Sequence, residues 1–231
     1  MSADPQPASN VGATTRRKRV LEKIKSICVY CGSGPGDHPA FMIAARAFGK
    51  VLAENNIRLV YGGGENGLMG AIANAVVDHG GKVLGVIPES LCAREGAFRR
   101  GQLEVVENMH QRKQKFFDES EAFVALPGGA GTLEETVEQM TWLQIGHSSK
   151  PIVLANIIGF WYPLIYLLKH MRTLKFIREG LEFNQLVANE VGQILPVLFG
   201  NLPSQVPIRY DGNGFADGMR PLPEKPRVVA G

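Results

Sequence analysis

The sequence predicts an α/β protein built on a parallel β-sheet in a single domain, and three observations carry this prediction. Short apolar runs of strand length alternate with stretches of ten or more residues that have helical spacing, which is typical of β-α-β units. Three of these strands lead into glycine-rich turns, at residues 32–36, 62–67 and 128–131. With 231 residues, 45% of them apolar, the chain is long enough for one substantial core. The expected architecture is a three-layer, Rossmann-like, doubly wound sheet with helices on both faces.

The individual elements follow in order along the chain. Strands are predicted at residues 26–30, 57–61, 82–87, 103–106, 122–126 and 152–155. Helices are predicted at residues 39–54, 68–79, 108–120, from 132, from about 160 and at 184–199, with a linker around 94–95. Because crossovers between parallel strands are right-handed, every strand-to-helix turn should lie at one edge of the sheet. The three glycine-rich turns should therefore share the edge at which open α/β sheets bind ligands.

The two ends of the chain lack the periodicity of the middle. Residues 1–24 are predicted to form a disordered basic tail, and residues 200–231, rich in Pro and Gly, an arm or tail beside a domain at 25–199. Four basic residues cluster at 16–19, so the folded part is near neutral although the net charge is +3. This balance argues against a nucleic-acid-binding protein.

Three features bear on location. Residues 151–168 carry no charge, but Asn156, Gly159 and Pro163 interrupt them, so a buried strand and a helix are favoured over a membrane span. The first 15 residues are polar and no apolar segment follows the basic cluster, so no secretory signal is expected. The three cysteines are an odd number and indicate no disulfide framework, which favours a reducing, cytoplasmic location.

The turn at 127–131 is the first candidate binding site. An apolar strand leads into Pro127, and glycines stand at 128, 129 and 131 before a helix from Thr132. This arrangement points N–H groups and the positive end of a helix at whatever lies above the strand, which suits phosphate. The missing side chains allow positive φ and a close approach of an anion to the backbone. In the alternative interpretation, Thr132 and Glu135 form a T-x-x-E capping box with no ligand.

Two other motifs permit different functions. Residues 62–67 match G-x-G-x-x-G, and Glu89 lies where a dinucleotide fold places its ribose-binding acid. Nicotinamide enzymes usually have this fingerprint after their first strand, however, and no hydride-transfer dyad follows, which argues against a dehydrogenase. Cys28 and Cys31 match C-x-x-C, but the first lies within a strand, so core packing is favoured over a redox pair. The five histidines have no metal-ligand spacing, so the sequence indicates no metal site.

A basic motif precedes the central strand. Residues 109–113 read Met-His-Gln-Arg-Lys and begin a predicted helix. Arg112 would bring a planar, two-pronged donor near the glycine turns, a geometry suited to phosphate or carboxylate. The alternative interpretation is an ordinary basic surface turn.

Three signatures, taken in order, resemble the Lonely Guy family, phosphoribohydrolases of cytokinin nucleotides that are often mislabelled lysine decarboxylases. P-G-G-x-G-T-x-x-E stands at 127–135, G-G-G-x-x-G-L-M-G at 62–70 and M-H-x-R-K at 109–113. The resemblance covers roughly residues 25–199. The departures are Ala130, where plant members often have Tyr, and an unusually apolar helix at 160–168, besides the two tails.

The resemblance implies hydrolysis of the N-glycosidic bond of a purine nucleoside 5′-monophosphate, with an N6-modified, cytokinin-type adenine as the base. The products are the free base and ribose 5-phosphate, and the reaction requires no metal and no other cofactor. Because positive charge builds up on the ribose as in glycoside hydrolysis, a carboxylate near the anomeric carbon would stabilise the transition state. Glu135 is the expected carboxylate, and Arg112 is expected to position the phosphate or the leaving group.

By the same resemblance, a larger set of residues is expected to contact the substrate. These are Glu95, Arg112, Lys113, Gly128, Gly129, Ala130, Gly131, Thr132, Leu133, Glu134, Thr141, Gly32, Ser33, Gly63 and Gly64.

Two alternative functions remain open on the sequence. One is an AMP nucleosidase without a hormone role, in which only the base pocket differs. The other is a non-catalytic nucleotide or cofactor carrier of the same fold, which could lack the Arg112–Glu135 pair. The only partners expected are the small nucleotide and a second copy of the chain, because the helix from 160 is apolar on nearly every side. We expect a homodimer or larger homo-oligomer, unless the segment from Gly200 covers that helix.

Overall fold

The computed structural model of this chain describes residues 24–177, 186–200 and 203–204, and these form one parallel sheet of seven strands. The strands are β1 (Ser26–Tyr30), β2 (Arg58–Tyr61), β3 (Val83–Pro88), β4 (Gln102–Val106), β5 (Ala122–Ala125), β6 (Ile152–Ala155) and β7 (Leu186–Ala188). Their order across the sheet is β4-β3-β2-β1-β5-β6-β7. The chain therefore winds outward from β1 in one direction and from β5 in the other, which confirms the doubly wound α/β prediction.

Helices cover both faces of this sheet. They are α1 (Pro39–Glu54), α2 (Gly67–Asp78), α3 (Glu89–Glu95), α4 (Met109–Asp118), α5 (Ala130–Gln144), α6 (Tyr162–Thr173) and α7 (Val191–Leu198). Alternate residues of β1 point to opposite faces, so Ile27 joins the core formed with α1, α2 and α7, whereas Cys28 joins the core formed with α4, α5 and α6. The three layers follow from this alternation.

Small residues bring α1 and α2 close together over the sheet. A Cβ on Gly49 of α1 would meet the backbone of Ile72 and the side chain of Ala75 on α2. The small-residue-rich α2 thus packs tightly, as its composition predicts.

The carboxyl ends of β1, β2 and β5 lie at one edge, where the three glycine-rich turns meet. Tyr30, the last residue of β1, is in register with Ala125 of β5. The N–H of Gly32 donates to the carbonyl oxygen of Pro127 at 3.0 Å, and the carbonyl oxygen of Gly32 accepts from the N–H of Leu68 at 3.1 Å. The first turn therefore bridges the other two, and the change in strand direction between β1 and β5 opens a crevice above it.

Two element predictions are wrong in detail. Residues 184–199 were expected to form one helix, but β7 and α7 occupy the described part of this range, because the buried Val187 and Ala188 pair with β6. The apolar residues of so short a strand run straight into those of α7, so periodicity does not separate the two. The expected linker at 94–95 is the last turn of α3, which begins directly after Pro88.

The helix expected from about residue 160 begins instead at Tyr162, after the 3₁₀ turn Ile157–Gly159. Asn156 shapes this entry, because its side-chain oxygen accepts a hydrogen bond from the N–H of Trp161 at 2.8 Å. No helix in the described part of the chain has the length and apolar character that a membrane crossing needs. The expected tails at 1–24 and 200–231 lie outside the described residues, apart from residues 24, 200, 203 and 204.

Candidate active site

A cavity of ≈ 320 Å³ lies at the crevice between the ends of β1 and β5. Part of its lining comes from the three glycine-rich turns and from the first turns of α4 and α5. Of the residues expected to contact a substrate, the cavity brings together Gly32, Ser33, Arg112, Gly129, Ala130, Gly131, Thr132, Glu134 and Glu135. The doubly wound topology thus gathers three separate sequence motifs around one cleft.

The helix α5 begins at Ala130, with Gly129 as its N-cap residue and no side-chain capping bond. Thr132 therefore lies inside the first turn, and its carbonyl oxygen accepts a hydrogen bond from the hydroxyl of Thr136 at 2.6 Å. The capping-box interpretation is wrong, because Thr132 does not occupy the N-cap position that a capping box requires. The first turn of α5 lines the cleft, so its backbone N–H groups and the positive end of the helix dipole lie where an anion would bind.

The three glycines of this turn have different roles. A Cβ on Gly128 would collide with the side chain of Thr132 and approach the backbone of Gly32, so this position permits only glycine. A Cβ on Gly129 or Gly131 would meet nothing within 4 Å, so their missing side chains leave open space. None of the three glycines has a positive φ, so the expectation of a left-handed backbone in this turn is wrong. Glycine is needed here because a side chain would take up space.

Arg112 is buried, with 6% of its surface exposed, so the interpretation as a surface turn is wrong. The side chain of Asn108 caps α4 by accepting from the N–H of Gln111 at 3.0 Å, which sets Arg112 on the second turn of the helix. Its Nε donates to the carbonyl oxygen of Val86 at 3.1 Å, and its Nη2 donates to that of Gly62 at 3.0 Å. The guanidinium also lies over the ring of Phe116, 5.2 Å from its centre.

Glu135 stands opposite this guanidinium on the second turn of α5. Its Oε1 lies 4.0 Å from Nη1 of Arg112, and 9% of the residue is exposed. A carboxylate this deeply buried requires compensation of its charge, which the neighbouring guanidinium supplies. The pair forms the charged floor of the cleft.

The Cys28–Cys31 motif is buried in the wall behind this pair. Burial raises the pKa of both thiols, and the negative charge of Glu135 raises it further. Both cysteines, and Cys92, are free thiols. A redox pair needs a stabilised thiolate, and this environment disfavours one, so the structure supports core packing.

Three of the expected contact residues stand outside the described lining of the cleft on α4 and α5. Lys113 forms ion pairs with Glu134 at 2.8 Å and with Glu138 at 2.9 Å. Thr141 is exposed, and its hydroxyl donates to the carbonyl oxygen of Val137 at 2.8 Å, whereas Leu133 is exposed on the outer surface of α5. Their substrate contacts remain predictions.

Gly63 and Gly64 are buried behind the described cleft lining. The carbonyl oxygen of Gly63 accepts from the N–H of Phe98 at 3.0 Å, and that of Gly64 accepts from the hydroxyl of Tyr61 at 3.2 Å. Gly63 has a φ of +78°, which favours glycine at this bend. Glu95 ends α3, and its side chain lies outside the described residues.

Sequence analysis missed the apolar part of the cleft. Tyr30, Met69, Leu91 and Met109 line it beside the polar residues named above. Met69 and Met109 stand inside two of the quoted signatures, so their position in those motifs was the signal available. Tyr30 ends β1 and would be found by noting which residue enters the first glycine turn.

Comparisons with known proteins identify the family. The family model described as possible lysine decarboxylase matches residues 69–196. The chain is 40% identical over 193 residues to the cytokinin riboside 5′-monophosphate phosphoribohydrolase of Rhodococcoides fascians, covering 83% of this chain and 95% of that one. It is 47% identical over 147 residues to a protein of the same name from Arabidopsis thaliana, covering 63% of this chain and 69% of that one.

Solved structures share the fold at lower identity. The molybdenum cofactor carrier protein of Chlamydomonas reinhardtii matches with a TM-score of 0.54 and 21% identity, over 75% of this chain and 94% of that one. The molybdenum cofactor binding protein of Rippkaea orientalis matches with a TM-score of 0.56 and 17% identity, over 76% of this chain and 96% of that one. These similarities concern the arrangement of strands and helices alone.

Proposed function

This chain belongs to the Lonely Guy family of cytokinin riboside 5′-monophosphate phosphoribohydrolases, and from that membership we propose that it hydrolyses purine nucleoside 5′-monophosphates. The bond broken is the N-glycosidic bond, and the products are the free base and ribose 5-phosphate. The family is the one that the three sequence signatures predict. The chain is thus an N-glycosyl hydrolase.

One observation carries the proposal: the buried Arg112–Glu135 pair, with 4.0 Å between charged atoms, lies at the floor of a cleft whose rim is a glycine turn. Rupture of the glycosidic bond leaves positive charge on the ribose, as in glycoside hydrolysis. A carboxylate fixed beforehand in a buried site opposes that charge without reorganising. Glu135 has this role, and it also orients the attacking water.

The 5′-phosphate binds at the first turn of α5, beside Gly129, Gly131 and Thr132. Open space at the two glycines lets the phosphate approach the backbone N–H groups. Ser33, exposed on the facing turn after β1, offers a hydroxyl from the other side. This placement keeps the anomeric carbon above Glu135.

Arg112 acts mainly on Glu135 and on the reacting end of the nucleotide. Two of its three nitrogens already donate to carbonyl oxygens, so Nη1 is the atom that faces the carboxylate. The guanidinium compensates the charge of Glu135 and can donate one hydrogen bond toward the phosphate or the departing base.

The base lies against the apolar lining formed by Met69, Leu91 and Met109. Ala130 adds only a methyl group at the rim of the cleft. An N6-modified, cytokinin-type adenine fits this lining, and plain adenine is the alternative.

Apolar residues on the outer surfaces of α5 and α6 support a homodimer or larger homo-oligomer. Leu133 and Val137 on α5, and Leu167 and Met171 on α6, are between 37% and 48% exposed. Both helices cover the same face of the sheet, and a second copy packed on that face would cover these side chains. The free thiols are consistent with a reducing, cytoplasmic setting.

The test is to incubate the purified protein with AMP and with isopentenyladenosine 5′-monophosphate and to separate the products by chromatography. The free base should be released from both, and faster from the isopentenyl compound. Faster release from AMP would indicate an AMP nucleosidase. Nucleotide binding without any release of base would overturn the enzymatic proposal in favour of a carrier.

A further inference from the structure

Among the described residues, three ion pairs join α4 to α5 near the cleft, and they lie side by side. Inside the cleft, Arg112 and Glu135 face each other at 4.0 Å. Beside it, the ammonium group of Lys113 lies 2.8 Å from Glu134, which lines the cleft, and 2.9 Å from Glu138, which stands outside the described lining. In the sequence, Lys113 directly follows Arg112, and Glu134 directly precedes Glu135.

Helical geometry explains this arrangement. Successive residues on an α-helix point about 100° apart, so Arg112 turns toward the sheet edge while Lys113 turns toward α5. Glu134 and Glu138 are four residues apart and present their carboxylates on one side of α5, where Lys113 reaches both. Glu135 lies on the adjacent, buried side.

The contact of Lys113 with Glu134 and Glu138 is held firmly. Side chains of Lys113 and Glu138 are only 21% and 23% exposed, so water screens this pair less than a surface salt bridge. Hydrogen bonds to Glu134 and then to Glu138 raise the pKa of Lys113, so the lysine stays charged. Within the described structure, the second carboxylate oxygen of Glu138 is buried without a hydrogen-bond partner, so loss of Lys113 would leave this carboxylate poorly compensated.

The far ends of the same two helices are joined by a different contact. Phe117 of α4 packs edge-on against Trp142 of α5, with ring centres 5.0 Å apart. If the ion pairs of Lys113 were lost, the Phe117–Trp142 contact would still join α4 and α5 at one end. The two helices would then be free to separate at the end that carries Arg112 and Glu135.

We propose that Lys113 is a positioning residue for the reaction stated under Proposed function, on which this inference rests. Its bridge to Glu134 and Glu138 sets the distance between α4 and α5 at the cleft, and thereby holds Glu135 and Arg112 at their working separation. On this proposal the lysine acts through α5, in place of the substrate contact that the family resemblance implies for it.

The experiment compares Lys113→Met, Lys113→Arg and Lys115→Met with the unmutated protein, using AMP. Lys115 is the matched control, because it lies on α4 but pairs with Glu104 and Glu119 instead of α5. Since a misplacement of about 1 Å can cost up to about 10²-fold in rate, Lys113→Met should lower kcat about tenfold or more and leave KM within about twofold. Lys113→Arg should restore kcat to within about threefold, and Lys115→Met should match the unmutated protein.

Glu138→Gln provides a second variant that keeps the lysine and lies outside the described cleft lining. It should lower kcat by about threefold. Combined with Lys113→Met, it should cause no further loss of kcat, because the effects of coupled residues are not additive. An unchanged kcat in Lys113→Met would overturn the proposal. So would a raised KM at constant kcat, which is the result expected of a phosphate contact.

A failure of the proposed function would be recognised separately, since the unmutated protein would then release no base. In that case the bridge is tested by hydrogen exchange at the amides of α5 from Leu133 to Val137. Exchange about tenfold faster in Lys113→Met than in Lys115→Met supports the bridge, since local opening controls these rates. Equal exchange in the two variants contradicts it.

Discussion

At Arg112, main-chain carbonyl oxygens of Val86 and Gly62 do most of the positioning, and the carboxylate of Glu135 stands slightly further away. The M-H-x-R-K signature identifies this arginine from sequence. Its burial could not be predicted, because both acceptors are backbone atoms distant in sequence, one in β3 and one in the turn after β2, and they leave no side-chain pattern.

Gly62 offers a direct test of this backbone clamp. A Cβ there would collide with Nη2 of Arg112 and press on the sulfur of Met69, although the backbone of Gly62 has no positive φ. Gly62→Ala should therefore displace the guanidinium, lowering kcat about 10²-fold and the free energy of unfolding by about 1–3 kcal/mol. Steady-state kinetics and urea unfolding measure the two effects.

The matched control is Gly192→Ala in α7, where a Cβ meets nothing within 4 Å. It should leave kcat unchanged and stabilise the helix by up to about 1 kcal/mol. If Gly62→Ala kept full activity, the positioning of Arg112 by that carbonyl would be unimportant.

Among the elements, α5 carries both the proposed phosphate site and the carboxylate of Glu135. Strand, glycine turn and helix were predictable in type and order, but the start at Ala130 was not, because Gly129 caps the helix without a side chain. The missed strand β7 has a related cause, since three apolar residues give too few positions to establish a period of two.

The phosphate site proposed at the first turn of α5 predicts that the phosphate group is needed for efficient hydrolysis. Adenosine lacks the group that this turn binds, so it should react at least about 10²-fold more slowly than AMP in kcat/KM, since charge-assisted hydrogen bonds contribute a few kcal/mol. Free adenine is measured by chromatography at equal enzyme and substrate concentrations. Equal rates of hydrolysis of adenosine and AMP would contradict a phosphate site at this turn.

For the whole molecule, the doubly wound topology was predictable because right-handed crossovers fix where the turns must lie. The pairing of β1 with β5, which positions the cleft, does not follow from that rule and is established by the structure. The sequence could not predict which residues are exposed on the outer sides of α5 and α6. The exposure of Leu167 and Met171, for example, depends on which side of α6 meets the sheet.

That surface predicts the oligomeric state. The unmutated chain of 25.2 kDa should sediment as a dimer or larger species at micromolar concentration. The double change Leu167→Glu and Met171→Glu should dissociate it, because charged groups are costly to bury in an apolar interface. As the control, Ile43→Glu replaces a residue that is 62% exposed on α1, over the opposite face of the sheet, and should not alter sedimentation. A monomeric unmutated chain would contradict the assembly.

The central claim is that the buried carboxylate of Glu135 opposes the charge of the ribose as the base leaves, and Glu135→Gln tests it most directly. The amide keeps the shape and loses the charge, so base release from AMP at saturation should fall about 10²- to 10³-fold. Affinity for ribose 5-phosphate, measured by calorimetry, should stay within a few-fold, because the phosphate turn is untouched. A variant that released base at close to the unmutated rate would contradict the account.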